Sequence, residues 1–263
     1  MAVAGRIERN AHHANNYEQH RNFSLTPFEN AIREEHSLMK LIFVRHGQPQ
    51  WDIDGLGVDD PVLTEIGHQQ ARHTANALAS THIDFVAVSP LIRAQQTAEP
   101  ILDALGKEPE VHDWLAEIAA PKWEGTPQEV IERTFAEARD RDVEQQWDGI
   151  PGGETFRDFH SRVTNGLEEF LASHGCERSR QLPTLWRIPE PQPTILFVAH
   201  SGTNAVALGH LLGIPPVPWE WERFVSFHSS ISILQPVPIA TAHSFSLYRF
   251  SDLSHLPENL HTR

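Results

Sequence analysis

The sequence of 263 residues predicts an α/β protein, specifically a three-layer α/β/α sandwich with a mainly parallel central sheet. Three short apolar runs bounded by polar residues are typical of strands that are buried on both faces of a parallel sheet. Segments with helical periodicity lie between these runs, so that strands and helices alternate along the chain. This alternation indicates helices on both faces of one sheet.

The strands are expected where apolar residues are continuous or alternate. The three buried strands are expected over residues 38–44, 85–88 and 194–199. Two further candidate strands, at 229–234 and 244–250, follow a proline-rich stretch. An exposed edge strand near 229–234 could pair two copies of the chain, so a homodimer is a possible assembly.

The helices are expected where apolar residues recur at spacings of three and four. They are expected over residues 64–80, 91–105, 126 to about 145, 154 to about 171, and around 206–212. Thr126 is expected to cap the third of them, with Glu129 completing a capping box. Pro100 is expected to kink the second.

The composition divides the chain into one main domain and three minor parts. Residues 1–37 are polar and are expected to form an N-terminal appendage, partly helical or disordered. Residues 38–252 are expected to form the α/β domain, interrupted by an insertion loop at about 173–193 that is rich in proline, arginine and serine. Residues 253–263 are expected to form a C-terminal tail.

Charge and residue usage exclude several classes of function. The 21 basic and 35 acidic residues give a net charge of −14, which disfavours nucleic acid and anionic membranes as partners. No apolar run approaches the length of a membrane span, and no secretory signal is recognisable, so we expect a cytoplasmic protein. The 17 histidines are scattered and show no metal-ligand spacing, so no metal or other cofactor is expected.

Cationic and imidazole side chains follow the three buried strands. Arg45 and His46 end the first, Arg93 follows the second, and His200 and Ser201 follow the third. Because the carboxyl ends of parallel strands meet at one edge of a sheet, these residues are expected to converge if the strands are neighbours. Arginine forks match phosphate oxygens, and a neutral imidazole is a competent nucleophile towards phosphorus. The sequence therefore predicts a phosphoryl site, to which a phosphorylated small molecule would bind.

Seven short motifs follow one another along residues 40 to 250. Each is weak alone, but their combination in this order is specific for one protein family. They are RHG at 45–47, LTEIG at 63–67, SPLIRAQQTA at 89–98, LAE at 115–117, WEG at 123–125, PGGE at 151–154 and VAHSG at 198–202. In this respect the chain resembles the histidine phosphatase superfamily, the phosphoglycerate mutase-like proteins. Where mutases of this family typically carry Glu-Ser after the first motif, this chain carries Gln48-Pro49, so it looks more like the phosphatase branch.

The resemblance implies a role for each candidate residue. His46 would attack phosphorus, while Arg45, Arg93 and His200 would hold the phosphoryl oxygens. Glu117 would protonate the leaving oxygen and then activate water, with the neighbouring Glu124 as its rival. From their positions alone, Gln48 is expected either to bind substrate at the pocket mouth or to pack on the surface. Ser201 is expected either to donate to phosphate or to cap its helix.

The function implied is hydrolysis of a small phosphorylated metabolite through a phosphohistidine. Two alternatives remain: a phosphoglycerate-type mutase, and a phosphate-binding module without turnover. Product analysis separates the two enzymes, since one releases phosphate and the other forms an isomer.

Overall fold

A computed structural model describes residues 39–263, which form ten strands and seven α-helices. The strands are β1 (Lys40–Arg45), β2 (Asp52–Ile53), β3 (Leu56–Gly57), β4 (Phe85–Val88), β5 (Glu110–Val111), β6 (Glu177–Arg178), β7 (Trp186–Arg187), β8 (Thr194–Ala199), β9 (Ile231–Ile239) and β10 (Ala242–Asp252). The helices are α1 (Glu65–Leu78), α2 (Ile92–Leu105), α3 (Gln128–Arg139), α4 (Val143–Trp147), α5 (Phe156–Ser173), α6 (Ser201–Leu211) and α7 (Glu220–Arg223). The expected appendage at 1–37 lies outside the described residues.

Eight of the strands form one sheet in the order β5-β4-β8-β1-β9-β10-β7-β6. The first four are mutually parallel, and the remaining four extend the sheet with antiparallel pairing. Because β4, β8 and β1 are neighbours, their carboxyl ends lie side by side. The predicted α/β class is confirmed.

Alternate residues of the buried strands supply two separate cores, one on each face of the sheet. Phe43 and Phe197 stack with ring centroids 4.8 Å apart and pack among residues of α5 and α6. Ile42 and Val198 point to the other face and pack among residues of α1 and α2. Burial on both faces explains why these strands read as continuous apolar runs.

The helix expected from 126 to about 145 is two helices, α3 and α4, separated by a turn at residues 140–142. The predicted cap at Thr126 is wrong, because Pro127 precedes the first helical residue and no side chain caps α3. The Gly57 N–H instead donates to the Thr126 carbonyl at 2.8 Å, which ties this stretch to the β2–β3 hairpin. Asp142 forms a capping box at the start of α4.

The expectation of an exposed edge at 229–234 is wrong, because β9 pairs with β1 on one side and β10 on the other. The sheet there ends instead with β7 and β6, which form inside the stretch 173–193. Trp186 of β7 is fully buried against Phe245 of β10 and so attaches this stretch to the sheet. No helix of residues 39–263 is long and apolar enough to cross a membrane.

Candidate active site

The side chains that follow β1, β4 and β8 lie together at one edge of the sheet. The imidazole rings of His46 and His200 have centroids 5.1 Å apart, and both residues are buried. Arg45, Arg93, Glu117 and Ser201 line an adjoining cavity of about 1160 Å³. Of the seven candidate residues, the structure therefore brings six together in one region.

The proton position on His46 follows from its neighbour. Nδ1 lies 2.7 Å from the Gly47 carbonyl, which only accepts, so Nδ1 carries the hydrogen and donates. This leaves the lone pair on Nε2. Burial lowers the pKa of His46 well below 6.5, and the nearby His200 and Arg45 lower it further. His46 is therefore a neutral imidazole with a free Nε2 at physiological pH.

His200 has the opposite arrangement. Its Nε2 lies 2.6 Å from the Ser89 hydroxyl, whose oxygen also accepts the Leu91 N–H at 3.3 Å. The hydroxyl can also donate its own hydrogen to Nε2, and the ring hydrogen is then on Nδ1. That Nδ1 is buried without a hydrogen-bond partner among residues 39–263. Burial lowers the pKa of His200 well below 6.5, and the positive charge of Arg93 lowers it further. The ring is therefore neutral, and its Nδ1–H is a neutral donor for a ligand.

Arg45 is held in the cavity wall by the loop that precedes β9. Its Nη1 donates to the Ser226 carbonyl at 2.6 Å, and its Nη2 lies 3.1 Å from Nε2 of His228. Burial lowers the pKa of Arg45 to about 10, while the nearby Glu117 raises it. The guanidinium is therefore still charged at neutral pH.

Arg93 is the second cation, and its side chain is only 4% exposed. Its Nη1 lies 3.4 Å from Oδ1 of Asp60, and its guanidinium lies over the Trp51 ring at 4.9 Å. Burial lowers the pKa of Arg93, while Glu117 and Asp60 raise it. Two buried guanidinium groups beside two neutral imidazoles have the charge and the donors that suit an anion with several oxygens.

Glu117 reaches the amino end of α6. Its Oε2 accepts the Gly202 N–H at 2.8 Å, and its Oε1 accepts the Ile118 N–H at 3.0 Å. This contact requires a glycine at 202, because a Cβ there would lie 2.5 Å from Oε1 of Glu117. The rival Glu124 is exposed and accepts the Asp59 N–H at 3.2 Å, and it is not among the described residues that line the cavity.

The two candidate substrate-binding residues have different surroundings. Ser201 lines the cavity at the first turn of α6, with its hydroxyl 3.3 Å from that of Ser226. The Gln48 side chain turns away: its Oε1 accepts the Thr64 hydroxyl at 2.8 Å, next to the start of α1. Gln48 is absent from the described cavity wall.

An arginine from α5 holds the segment that carries Glu117. Arg162 donates to the carbonyls of Trp114 and Ala116, each at 3.1 Å, and its Nη2 lies 3.4 Å from the Glu117 carbonyl. Glu154 accepts two hydrogen bonds from Arg162, at 2.9 and 2.8 Å, and a third from the Ala119 N–H. The pair therefore fixes the backbone on both sides of the acid.

The sequence interpretation missed several residues of this region. His228 contacts Arg45, and Ser89 of the SPLIRAQQTA motif contacts His200. Arg162 was not singled out, although a cation three residues after the buried Phe159 is a detectable signal. Arg263 lines the cavity and lies 3.8 Å from Glu222, and no sequence pattern pointed to it. Within 39–263, no three His, Cys, Asp or Glu side chains form a group that could hold a metal ion.

Comparison with known proteins gives one family. Residues 41–238 match the histidine phosphatase superfamily (branch 1). Phosphoserine phosphatase 1 of Hydrogenobacter thermophilus is 34% identical over 193 residues, which cover 72% of this chain and 82% of the relative. A 2,3-bisphosphoglycerate-dependent phosphoglycerate mutase of Sinorhizobium fredii is 34% identical over 179 residues, or 60% of this chain and 85% of that protein.

A solved structure extends the similarity to the fold. A mycobacterial glucosyl-3-phosphoglycerate phosphatase in complex with inorganic phosphate superimposes with a TM-score of 0.62. It is 25% identical and covers 83% of this chain and 100% of its own.

Proposed function

The chain belongs to the histidine phosphatase superfamily and is a phosphatase, and we propose that it hydrolyses small phosphate monoesters through a phosphohistidine on His46. The observation that carries the proposal is the protonation state of His46. Its Nδ1–H is engaged by the Gly47 carbonyl, and its Nε2 is an unprotonated nucleophile beside two buried cations. A site built only to bind phosphate gains nothing from such a nucleophile.

In the first step, Nε2 of His46 attacks phosphorus and the bond to the ester oxygen breaks. Arg45, Arg93 and the Nδ1–H of His200 bind the three phosphoryl oxygens, on which negative charge is spread in the transition state. Glu117 enters this step protonated and gives its proton to the leaving oxygen, which departs as an alcohol.

In the second step, Glu117 acts as a base. It takes a proton from a water molecule, whose oxygen attacks the phosphohistidine and releases inorganic phosphate and free His46. Glu117 is then protonated again for the next cycle. Atoms and protons balance without a metal ion, so we expect turnover to survive EDTA.

A mutase is the second candidate, because a phosphoglycerate mutase is among the relatives. A mutase must return the phosphoryl group to bound sugar acid faster than water reaches the phosphohistidine. The residues after the first motif, Gln48 and Pro49, depart from the mutase pattern and support hydrolysis.

A panel of phosphate monoesters with different alcohols tests the proposal. We expect stoichiometric phosphate release from at least one of them, and release without isomer formation from 3-phosphoglycerate if that is turned over at all. Isomer formation in excess of phosphate release would favour the mutase. Turnover at background on the whole panel would favour a binding module.

A further inference from the structure

The cavity extends well beyond the phosphoryl pocket. At about 1160 Å³ it is much larger than a phosphoryl group with a short alcohol requires. Its lining includes the large ring of Trp51, which packs against Arg93, and those of Trp123 and Phe135; we call these three rings the aromatic wall. Trp51 is 46% exposed and Phe135 is 44% exposed. These rings therefore leave apolar surface exposed to solvent beside the site.

The aromatic wall is connected to the phosphoryl pocket. The Trp51 ring packs against the Arg93 guanidinium, with 4.9 Å between the guanidinium carbon and the ring centroid. The rings of Trp123 and Phe135 have centroids 6.3 Å apart, with their planes inclined at 50°. A phosphate monoester held by Arg93 would therefore direct its alcohol along these rings.

The aromatic wall is also held in place before any ligand binds. Asp59 accepts the backbone N–H of Trp123 at 2.6 Å, and the next residue, Asp60, pairs with Arg93. A Cβ at Gly57 would lie 2.4 Å from Cδ1 of Ile131, so α3 sits directly on the β2–β3 hairpin. A pre-formed wall binds a ligand without the entropic cost of ordering it.

One polar atom of the aromatic wall has no partner. The indole Nε1 of Trp123 is buried and makes no hydrogen bond within the described part of the chain. A buried donor without an acceptor is costly, and a ligand acceptor placed there would recover that free energy.

We propose that the aromatic wall binds the alcohol part of the substrate and selects phosphate monoesters whose alcohol carries a planar ring. The inference rests on the proposed phosphatase function and adds the class of leaving group. Stacking on Trp51 and Phe135 supplies the affinity, and the Trp123 indole favours a ring that bears a hydrogen-bond acceptor.

Two substrates with alcohols of similar acidity test the inference: ethyl phosphate and 2-(1-naphthyl)ethyl phosphate. Because protonation of the leaving oxygen is equally demanding in both, a difference in kcat/KM reports binding of the ring. We expect kcat/KM to be about tenfold higher or more for the naphthyl ester, mainly through a lower KM.

Variants of the aromatic wall then test whether its rings cause the preference for the naphthyl ester. Phe135→Ala should lower kcat/KM for the naphthyl ester about fivefold to tenfold and leave ethyl phosphate within about twofold. Tyr248→Ala is the matched control, since Tyr248 is 62% exposed on β10 and is not among the described cavity residues. Trp123→Phe keeps a ring and removes the indole N–H, to which a quinoline nitrogen could bind. It should therefore lower the ratio of kcat/KM for 2-(quinolinyl)ethyl phosphate to kcat/KM for the naphthyl ester.

The possible failures are distinguishable. Equal kcat/KM for the ethyl and naphthyl esters, or equal losses on both in Phe135→Ala, would overturn the aromatic-ring inference and leave the phosphatase intact. Absence of phosphate release from every ester would overturn the proposed function and, with it, this inference.

Discussion

His46 and His200 offer different ring nitrogens because the fold engages a different nitrogen of each. The Gly47 carbonyl takes the Nδ1–H of His46, whereas the Ser89 hydroxyl contacts Nε2 of His200. One imidazole is thereby left as a nucleophile and the other as a donor. The sequence could predict both residues from strand-end motifs, but the tautomers depend on contacts that exist only in the folded chain.

Because Glu117 contacts Gly202 closely, a methyl group added at residue 202 should displace the Glu117 carboxylate. In Gly202→Ala the added Cβ would lie 2.5 Å from Oε1 of Glu117, so the carboxylate must move away. A general acid contributes about a hundredfold or more to rate. We expect kcat for ethyl phosphate to fall about a hundredfold. In single-turnover phosphorylation by p-nitrophenyl phosphate, whose leaving group needs no proton, the fall should stay below about tenfold.

Gly209→Ala is the matched control on the same helix. A Cβ at Gly209 meets nothing closer than Oε2 of Glu220 at 3.6 Å, an ordinary contact, so activity should be unchanged. Equal losses on the two substrates in Gly202→Ala would show that Glu117 is not the acid and would direct attention to Glu124.

Helix α5 contributes to the active site from a distance, through Arg162. This side chain donates to the carbonyls of Trp114 and Ala116 and pairs with Glu154, and so fixes the segment that ends in Glu117. The Gly-Gly-Glu motif at 152–154 lies just before this helix. Its glutamate also accepts the Ala119 N–H, a contact across 35 residues that no local pattern encodes.

Arg162→Met tests this positioning role. The variant keeps an unbranched apolar stem and removes five donors, so the segment around Glu117 loses its fixed geometry. We expect kcat for ethyl phosphate to fall about tenfold to a hundredfold, and p-nitrophenyl phosphate to be affected less. A merely structural role would lower both equally.

Arg157→Met on the same helix is the comparison, because Arg157 is 49% exposed and pairs with Glu144 away from the acid. Its kinetics should match the wild type. If Arg162→Met shows wild-type kinetics on both substrates, Arg162 does not position the acid.

The elements that the sequence predicted well are those whose pattern is local. Strands β4 and β8 have the expected bounds, and helix α1 lies within the expected range 64–80. The helix predicted from residue 126 begins only at Gln128, because the β2–β3 hairpin binds this stretch: the Gln128 N–H donates to the Gly55 carbonyl. The interior position of β9 was missed because strand order depends on long-range pairing.

At the scale of the whole molecule, folding buries a cluster of histidines in their neutral form. Burial lowers the pKa of His46 and His200 well below 6.5 and that of His228 to about 3. Below pH 6.5 the unfolded chain therefore binds protons that the folded chain excludes. Stability is at its full value above pH 7 and is lost as the pH falls towards these lowered pKa values.

Urea unfolding at pH 7.5 and 5.5 measures this effect. A histidine that stays neutral in the folded state costs about 1.4 kcal/mol at pH 5.5, so three of them lower the free energy of unfolding by about 4 kcal/mol. His228→Asn should reduce the difference by about 1.4 kcal/mol, the share of one neutral histidine. His82→Asn should leave it unchanged, since the His82 side chain is 83% exposed. Equal stability at the two pH values would contradict neutral burial of the cluster.

Rapid quenching during turnover would trap the phosphohistidine intermediate. The site gives His46 a free, neutral Nε2, so phosphate from a labelled ester should be trapped on His46 as an acid-labile, alkali-stable phosphoramidate, located by peptide mapping. His46→Ala should form no adduct and release no phosphate. Label on a serine or an aspartate, or full turnover by His46→Ala, would contradict the account.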